Sequence, residues 1–248
     1  MENKPPAYLE GPQGRIAYRR QTGAHPEVLW LGGFRSDMLG TKANFLGQWA
    51  AKNKKAFTRF DYTGHGESDG RFENGSIGEW LEDTTAVFDE VTEGPVTLVG
   101  SSMGAWIAAR LAQVRPDRIN AIVFIAPAPD FTRKLMWPAF TEKQRETVLR
   151  EGRLEQPSDY SDEPEIITRK LIEEADNHLI MDQPLTFHCP VRILQGMMDE
   201  AVPWRHALEF ADVIESTDLE VLLTKTGDHR LSTPEDLTRL ATVLGAIS

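Results

Sequence analysis

Short apolar runs that stop at turn-forming residues alternate with helical patterns along most of this 248-residue chain. Runs of this kind are typical of strands that are buried on both faces of a parallel sheet. The predicted strands are residues 28–31, 56–60, 96–99, 121–125, 191–194 and 219–223. The predicted helices are residues 41–52, 76–91, 103–114, 204–214 and 233–247. Strands that alternate with helices predict right-handed crossovers and an α/β fold with a doubly wound, mostly parallel sheet.

The opening segment and the helix ends carry local signals of their own. Residues 15–20 alternate between polar and apolar side chains, which predicts part of an antiparallel hairpin at the sheet edge. Ser76 is a predicted helix cap, and Glu79 three residues later completes a capping-box pattern. Pro116 is expected to end the helix 103–114.

The stretch between the fourth and fifth predicted strands has no clear strand pattern. Within it, residues 141–150 and 163–175 are predicted to be helical. A long insertion that follows a sheet strand is typical of a helical cap over the strand ends. We assign residues 128–188 to this cap and treat residues 1–248 as one domain, because the insertion is too short and too polar for a core of its own.

Charge, cysteine content and the N-terminal sequence restrict the partners and the compartment. The net charge of −11 repels phosphate backbones and anionic lipid, so neither nucleic acid nor a membrane surface is an expected partner. No apolar stretch approaches the roughly 18 residues of a membrane span. The single cysteine, Cys189, excludes an intrachain disulfide and is expected to be a buried structural thiol. Residues 1–6 contain neither a signal peptide nor an Arg-rich leader, which predicts a cytoplasmic protein.

A Gly-x-Ser-x-Gly motif at residues 100–104 joins a predicted strand to a predicted helix, as a nucleophile elbow requires. The serine must sit on a sharp, strained turn, and the glycines remove side chains that would collide where strand and helix meet. Ser102 fits the motif and Ser101 does not, because positions 99 and 103 are Val and Met. Ser102 is therefore the predicted nucleophile. The alternative is an ordinary small-residue turn.

Two further residues follow strands that should end at the same sheet edge as Ser102. A serine hydroxyl is a weak nucleophile until a base removes its proton. In proteins with this motif the partners follow in the chain order serine, acid, histidine. Asp199 follows the fifth predicted strand and His229 follows the sixth. Because ligands gather at the carboxyl ends of parallel strands, we predict His229 as general base and Asp199 as the group that orients it.

The rival acids and histidines have less suitable positions. Glu200 remains open as a substitute for Asp199, whereas Asp228 is expected at the surface because it adjoins His229. Asp61 and His65 belong to a glycine-rich turn and are expected to be structural. No two histidines show metal-ligand spacing, so neither a metal nor a cofactor is predicted. The histidines that lack a strand-end position are His25, His178, His188 and His206.

An oxyanion hole needs two backbone N–H groups directed at the developing charge. The residue after the nucleophile, Met103, supplies one of them. The second is expected from the loop after the first predicted strand, at Phe34, because Gly32 and Gly33 let the backbone approach the substrate. The alternative for this loop is an ordinary glycine turn.

These motifs resemble the α/β-hydrolase superfamily over essentially the whole chain. One subgroup, the palmitoyl-protein thioesterases and acyl-glucuronide esterases, is similar at residues 59–62, 94–106, 189–204 and 228–230. The resemblance implies the α/β-hydrolase fold, a triad of Ser102, Asp199 and His229, and hydrolysis of acyl esters or thioesters. Gly32 departs from the superfamily, in which a histidine commonly precedes the oxyanion glycine. The mitochondrial address of the subgroup is not carried over, because no leader is seen.

The predicted reaction is a two-step acyl transfer to water on a small-molecule or acylated substrate. A peptidase or a lyase on the same fold remains an alternative, as does a non-catalytic ligand-binding protein. An acyl pocket and plain core packing are equally open for Met136, Trp137, Phe140 and Val202. The sequence leaves the acyl length, the leaving group and the oligomeric state open.

Overall fold

The computed structural model describes residues 5–157 and 164–247. Residue 163, the first residue of the predicted helix 163–175, lies outside the described residues, as do residues 1–4 of the predicted leaderless start. The strands are β1 (Ala7–Gly11), β2 (Gly14–Gln21), β3 (Ala24–Leu31), β4 (Lys55–Phe60), β5 (Val96–Ser101), β6 (Ile119–Ile125), β7 (Arg153–Gln156), β8 (Glu165–Thr168), β9 (Leu185–Thr186), β10 (Val191–Gly196), β11 (Ile214–Glu215) and β12 (Leu219–Thr224). The α-helices are α1 (Thr41–Lys52), α2 (Ile77–Glu90), α3 (Met103–Val114), α4 (Trp137–Ala139), α5 (Glu142–Glu151), α6 (Arg169–Ala175), α7 (Trp204–Val213) and α8 (Pro234–Ile247).

The central sheet has eight strands in the order β1-β2-β4-β3-β5-β6-β10-β12. Its six strands from β4 to β12 run parallel, and the sequence predicts all six. β1 and β2 form an antiparallel hairpin at one edge, where β2 also pairs antiparallel with β4. The prediction of a doubly wound, mostly parallel sheet is therefore confirmed. No helix within the described residues is long and apolar enough to cross a membrane.

Helices cover both faces of the sheet because successive side chains of a strand point to opposite sides. In β3, Leu29 and Leu31 pack into the cluster that includes α2, α3 and α7. Val28 and Trp30, on the other face of the same strand, pack against α1 and α8. This two-sided burial explains why the parallel strands appear in the sequence as continuous apolar runs rather than alternating ones.

The predicted capping pair at the start of α2 meets in a variant geometry. The Ser76 hydroxyl lies 3.4 Å from the backbone nitrogen of Glu79 and accepts its N–H. The Glu79 carboxylate accepts from the Ser76 hydroxyl at 3.0 Å, whereas a capping box would use the backbone N–H of Ser76.

The cap differs from the sequence prediction in two respects. Residues 165–168, predicted as helix, form β8, which pairs antiparallel with β7 and sets Ile167 opposite Leu154. The helical part is α6 alone. The expectation that the insertion is too polar for a core is also wrong, because the cap has a small apolar cluster of its own. Its buried members are Phe140, Val148, Leu154, Ile167 and Ile172.

Buried hydrogen bonds join the two ends of the cap to each other and attach the returning end to α3. The carboxylate of Asp130, which is fully buried, accepts the backbone N–H groups of Ile180 and Met181, each at 2.9 Å. The indole of Trp106 in α3 donates to the carbonyl of His178 at 2.9 Å. These contacts hold both ends of the insertion above the carboxyl ends of the parallel strands.

Candidate active site

Ser102 lies at the turn between β5 and α3 with φ 54° and ψ −119°. This backbone conformation is strained for any residue with a side chain, and it survives only where the surroundings enforce it. A Cβ atom at Gly100 would lie 2.4 Å from the carbonyl oxygen of Gly104, and one at Gly104 would lie 2.2 Å from the carbonyl oxygen of Leu31. Both glycines of the motif are therefore required by close backbone approach.

The ends of β10 and β12 bring Asp199 and His229 to the same edge as Ser102. Nε2 of His229 lies 3.1 Å from Oγ of Ser102, and Nδ1 of the same ring lies 2.7 Å from Oδ2 of Asp199. The Asp199 side chain is 0% exposed, whereas that of His229 is 21% exposed. The imidazole thus bridges a buried carboxylate and a hydroxyl at the sheet edge.

Backbone and side-chain donors fix the Asp199 carboxylate. Its Oδ1 accepts the N–H groups of Ala201 and Val202 at 3.0 and 2.7 Å. Its Oδ2 accepts from the amide nitrogen of Gln195 at 3.1 Å, in addition to the contact with His229. Sequence reasoning missed Gln195, because a glutamine directly after a predicted strand carries no motif.

The rival acids and histidines lie away from this arrangement. Glu200 is exposed, and Asp228 is exposed with Oδ1 accepting the N–H of Leu231 at 2.9 Å. Asp61 accepts the N–H of Glu67 within its own turn and that of Met38 in the loop after β3. His65 packs against aromatic rings, and burial lowers its pKa to about 4, so its ring is neutral near pH 7.

The loop after β3 approaches the nucleophile closely. A Cβ atom at Gly33 would lie 3.4 Å from Cβ of Ser102. The carbonyl of Gly33 accepts the N–H of Ser36 at 3.1 Å, which closes a turn around Phe34. Met103 opens α3, and a first helical residue has no acceptor within its own helix. Among the described residues, the backbone hydrogen bonds leave the N–H groups of Phe34 and Met103 without a protein acceptor.

A cavity of about 930 Å³ surrounds Ser102 and His229. The apolar part of its wall includes Ala128, Phe131, Leu135, Met136, Phe140 and Val202. Three of the four candidate pocket residues thus line it. Trp137 does not, and instead packs against the Phe140 ring at 6.0 Å in the cap cluster. Residues Thr132–Met136 form a π-helical turn, which determines which side chains of this segment face the cavity. No sequence periodicity predicts such a turn.

Burial shifts the pKa of two ionisable groups, Cys189 and Lys42. Cys189 is half-buried rather than fully buried, and desolvation raises the pKa of its thiol to about 11, which disfavours the thiolate. Lys42 lines the cavity and donates to the carbonyl of Arg230, and burial lowers its pKa to about 8.

Within residues 5–157 and 164–247, no group of three or more His, Cys, Asp or Glu side chains is arranged to hold a metal ion.

Comparison with known proteins identifies the family. A family model described as serine aminopeptidase, S33, matches residues 28–177. A Mus musculus protein named palmitoyl-protein thioesterase ABHD10, mitochondrial, is 39% identical over 225 residues, which are 90% of this chain and 75% of that protein. The chain belongs to the ABHD10 family of α/β-hydrolases. The predicted fold, hydrolase class and subgroup resemblance are thereby confirmed.

Two solved structures agree with this fold over 98% of the chain. The mouse α/β-hydrolase domain-containing protein 10 superposes with a TM-score of 0.90 at 34% identity, covering 98% of both chains. A putative hydrolase from Agrobacterium vitis S4 superposes with a TM-score of 0.94 at 41% identity, also covering 98% of both. The overall fold is therefore shared with both proteins.

The expectation of a cytoplasmic location is contradicted by the ABHD10 relatives. The curated proteins from Mus musculus, Bos taurus, Rattus norvegicus and Homo sapiens are all named as mitochondrial. The expectation depended on the first few residues of the sequence. Composition and a single cysteine do not separate a mitochondrial from a cytoplasmic protein, so the names of the relatives decide the correction.

Proposed function

We propose that this chain hydrolyses acyl thioesters and esters, with Ser102 as nucleophile, His229 as general base and Asp199 as the residue that orients the imidazole. The observation that carries the proposal is the position of the His229 ring, 3.1 Å from the Ser102 hydroxyl and 2.7 Å from the Asp199 carboxylate. A base in hydrogen-bond contact with a nucleophile and oriented by a third group is the arrangement that activates a hydroxyl.

The reaction proceeds by two acyl transfers. In the first, His229 takes the Ser102 proton while Oγ bonds to the carbonyl carbon, and the tetrahedral intermediate then expels the leaving group, which receives that proton. In the second, water loses a proton to His229 and attacks the acyl-enzyme, and the proton returns to Oγ of Ser102 as the acid departs. Asp199 stabilises the imidazolium formed at each stage.

The N–H groups of Phe34 and Met103 stabilise the oxyanion in both stages. Their lack of protein acceptors leaves them available for a carbonyl oxygen bonded to Ser102. A preorganised donor of this kind lowers the activation barrier by about 3–4 kcal/mol in a site that excludes water. The phenyl ring of Phe34 packs against both the main core and the cap cluster, which supports the position of its backbone.

An apolar acyl group with a thiol leaving group is the favoured substrate. The curated relatives are named palmitoyl-protein thioesterases, and the cavity wall beside Ser102 includes Phe131, Leu135 and Met136. A thiol of the cysteine type, with a pKa of about 8.5, also leaves more readily than an alcohol. The peptidase alternative draws on the family model, whose description is that of an aminopeptidase.

The test is labelling by a fluorophosphonate probe, which reacts with activated serine hydroxyls. Ser102→Ala should abolish labelling and lower kcat for acyl thioesters by about ten-thousandfold or more. Ser101→Ala is the matched control, because Ser101 is adjacent and lines the same cavity, yet it ends β5 and lacks the positive φ of Ser102. Ser101→Ala should retain labelling and activity.

The same experiment separates the competing functions. Retained labelling of Ser102→Ala would overturn the assignment of the nucleophile. A rate series over acyl thioesters, acyl esters and aminoacyl anilides should favour the thioesters, and faster cleavage of the anilides would indicate a peptidase. Lack of turnover of every substrate by a protein that the probe does not label would indicate a binding protein.

A further inference from the structure

Gln195 is a fully buried residue near the end of β10, four residues before Asp199. Its amide nitrogen lies 3.1 Å from Oδ2 of Asp199, 3.0 Å from the carbonyl oxygen of Gly196 and 3.1 Å from that of Val202. A side-chain amide has two N–H donors, so one can serve the carboxylate while the other serves a carbonyl.

The chemistry of these neighbours fixes which way the Gln195 amide faces. All three atoms around Nε2 are acceptors, so a rotated amide would set its oxygen against a carboxylate and two carbonyls. The amide oxygen, Oε1, is buried and has no partner among the described residues. Leaving a buried acceptor without a donor is costly. We infer that the amide keeps this orientation because its N–H groups bond to Asp199 and the two carbonyls on the Nε2 side.

The Gln195 amide and the His229 ring share one oxygen of Asp199. Oδ2 of Asp199 accepts from both, at 3.1 and 2.7 Å, while Oδ1 is held by two backbone N–H groups. A donor on Oδ2 restricts rotation of the carboxylate and offsets part of its negative charge. Less negative charge at Oδ2 means less stabilisation of a protonated imidazole, so His229 remains an available base at lower pH.

We propose that Gln195 is a positioning residue for the Ser102–His229–Asp199 reaction, which orients the Asp199 carboxylate and extends activity toward lower pH. This inference rests on the proposed function. Gln195 does not line the cavity and so acts on the substrate only through Asp199 and His229.

Other titratable groups on the surrounding elements act differently on this pair. Glu200, Asp228 and Arg230 are exposed, so dissolved salt screens their charges. His206 of α7 contacts the carbonyl of Pro129, and burial lowers its pKa. Lys42 donates to the carbonyl of Arg230, and its pKa of about 8 makes it titrate on the alkaline side of the profile. The acid limb, measured at low and high salt, therefore isolates the effect of the buried amide.

The experiment measures the pH dependence of fluorophosphonate labelling and of kcat/KM for an acyl thioester. Gln195→Met keeps the length and apolar stem but removes the donors, and should lower both rates about ten- to a hundredfold near neutral pH. Its acid limb should move to higher pH. Gln113→Met, at an exposed glutamine of α3, is the matched control and should leave the limb and both rates unchanged.

Gln195→Glu supplies an independent variant. While its new carboxyl group is protonated it can donate to Asp199 as the amide does, and once ionised it adds a second negative charge. Because Asp199 and two carbonyls surround this position, the new carboxyl group should stay protonated across the acid limb, so that limb should lie closer to the wild-type pH than that of Gln195→Met. Slower rates with an acid limb unchanged from the wild type in both variants would show that Gln195 is merely structural and overturn the proposal.

A measurement on the wild-type protein keeps the proposal testable if the variants do not fold. In nitrogen-15 spectra, one solvent-protected glutamine side-chain amide should shift with the same pH midpoint as the labelling rate. Absence of a protected amide with that midpoint would overturn the proposal. Labelling of Ser102→Ala at the wild-type level would instead contradict the proposed function. Failure of this proposal and failure of the proposed function are therefore distinguishable.

Discussion

The strained turn at Ser102 requires, among other things, that position 104 carries no side chain. A Cβ atom there would lie 2.2 Å from the carbonyl oxygen of Leu31 and 2.4 Å from that of Gly32. Both obstacles are backbone atoms, so neither can move aside as a flexible side chain would. Gly104→Ala should therefore destabilise the fold by about 3 kcal/mol or more and reduce fluorophosphonate labelling of the remaining folded protein.

Gly245→Ala provides the matched control for that substitution. Gly245 lies in α8 with nothing within 4 Å of its added Cβ atom, and alanine is the better helix former by about 1 kcal/mol. Denaturant unfolding should show Gly245→Ala as neutral or stabilising, with labelling unchanged. Equal stability losses for the two variants would contradict the close-approach explanation of the elbow.

At the scale of elements, we expect the cap segment that precedes α5 to limit the acyl length. Met136 lines the cavity on the cap side, so Met136→Trp should fill part of the volume that a long acyl chain needs. The rate for a palmitoyl thioester should fall by about tenfold or more, while that for an acetyl thioester stays unchanged. The ratio of the two kcat/KM values measures the effect.

Leu149→Trp is the corresponding control, because Leu149 is an exposed residue of α5 in the same cap. It adds the same bulk without reaching the cavity and should leave the rate ratio of the wild type. An equal loss of palmitoyl and acetyl activity in Met136→Trp would contradict the assignment of the cap to the acyl group.

The sheet and the strand-end residues could be predicted from the sequence because their signals are local. Continuous apolar runs reveal buried parallel strands, and the ends of such strands converge at one edge, which brings Asp199 and His229 to Ser102. The cap obeys weaker rules. β8 forms because Ile167 pairs opposite Leu154, a non-local contact that overrides the helical pattern of residues 163–175.

The position of Gln195 shows the same limit inside the candidate site. Its role depends on the distance between two side chains that fold together at the end of β10, and a glutamine in a strand has no pattern that announces it. Trp137 is the opposite case. It is an aromatic candidate for the pocket wall, but it packs against the cap cluster. Side-chain direction within an irregular segment is set by packing and not by sequence spacing.

At the scale of the whole molecule, the cap and the sheet should unfold together. Phe34 packs against both the main core and the cap cluster, and the buried indole of Trp106 in α3 donates to the carbonyl of His178 at the returning end of the cap. Cap opening would expose these buried polar groups, so an open cap on an intact sheet is costly. We therefore predict one cooperative transition, as expected for a single domain that carries an insertion.

Two core substitutions test that prediction. Ile167→Ala removes buried volume from the cap cluster and Val123→Ala removes it from the sheet, each at a cost of about 2–4 kcal/mol. Both should shift one transition, seen equally by fluorotryptophan signals from Trp137 in the cap and Trp49 in α1. If Ile167→Ala moved only the Trp137 signal and left that of Trp49 in place, the cap would be an independent unit.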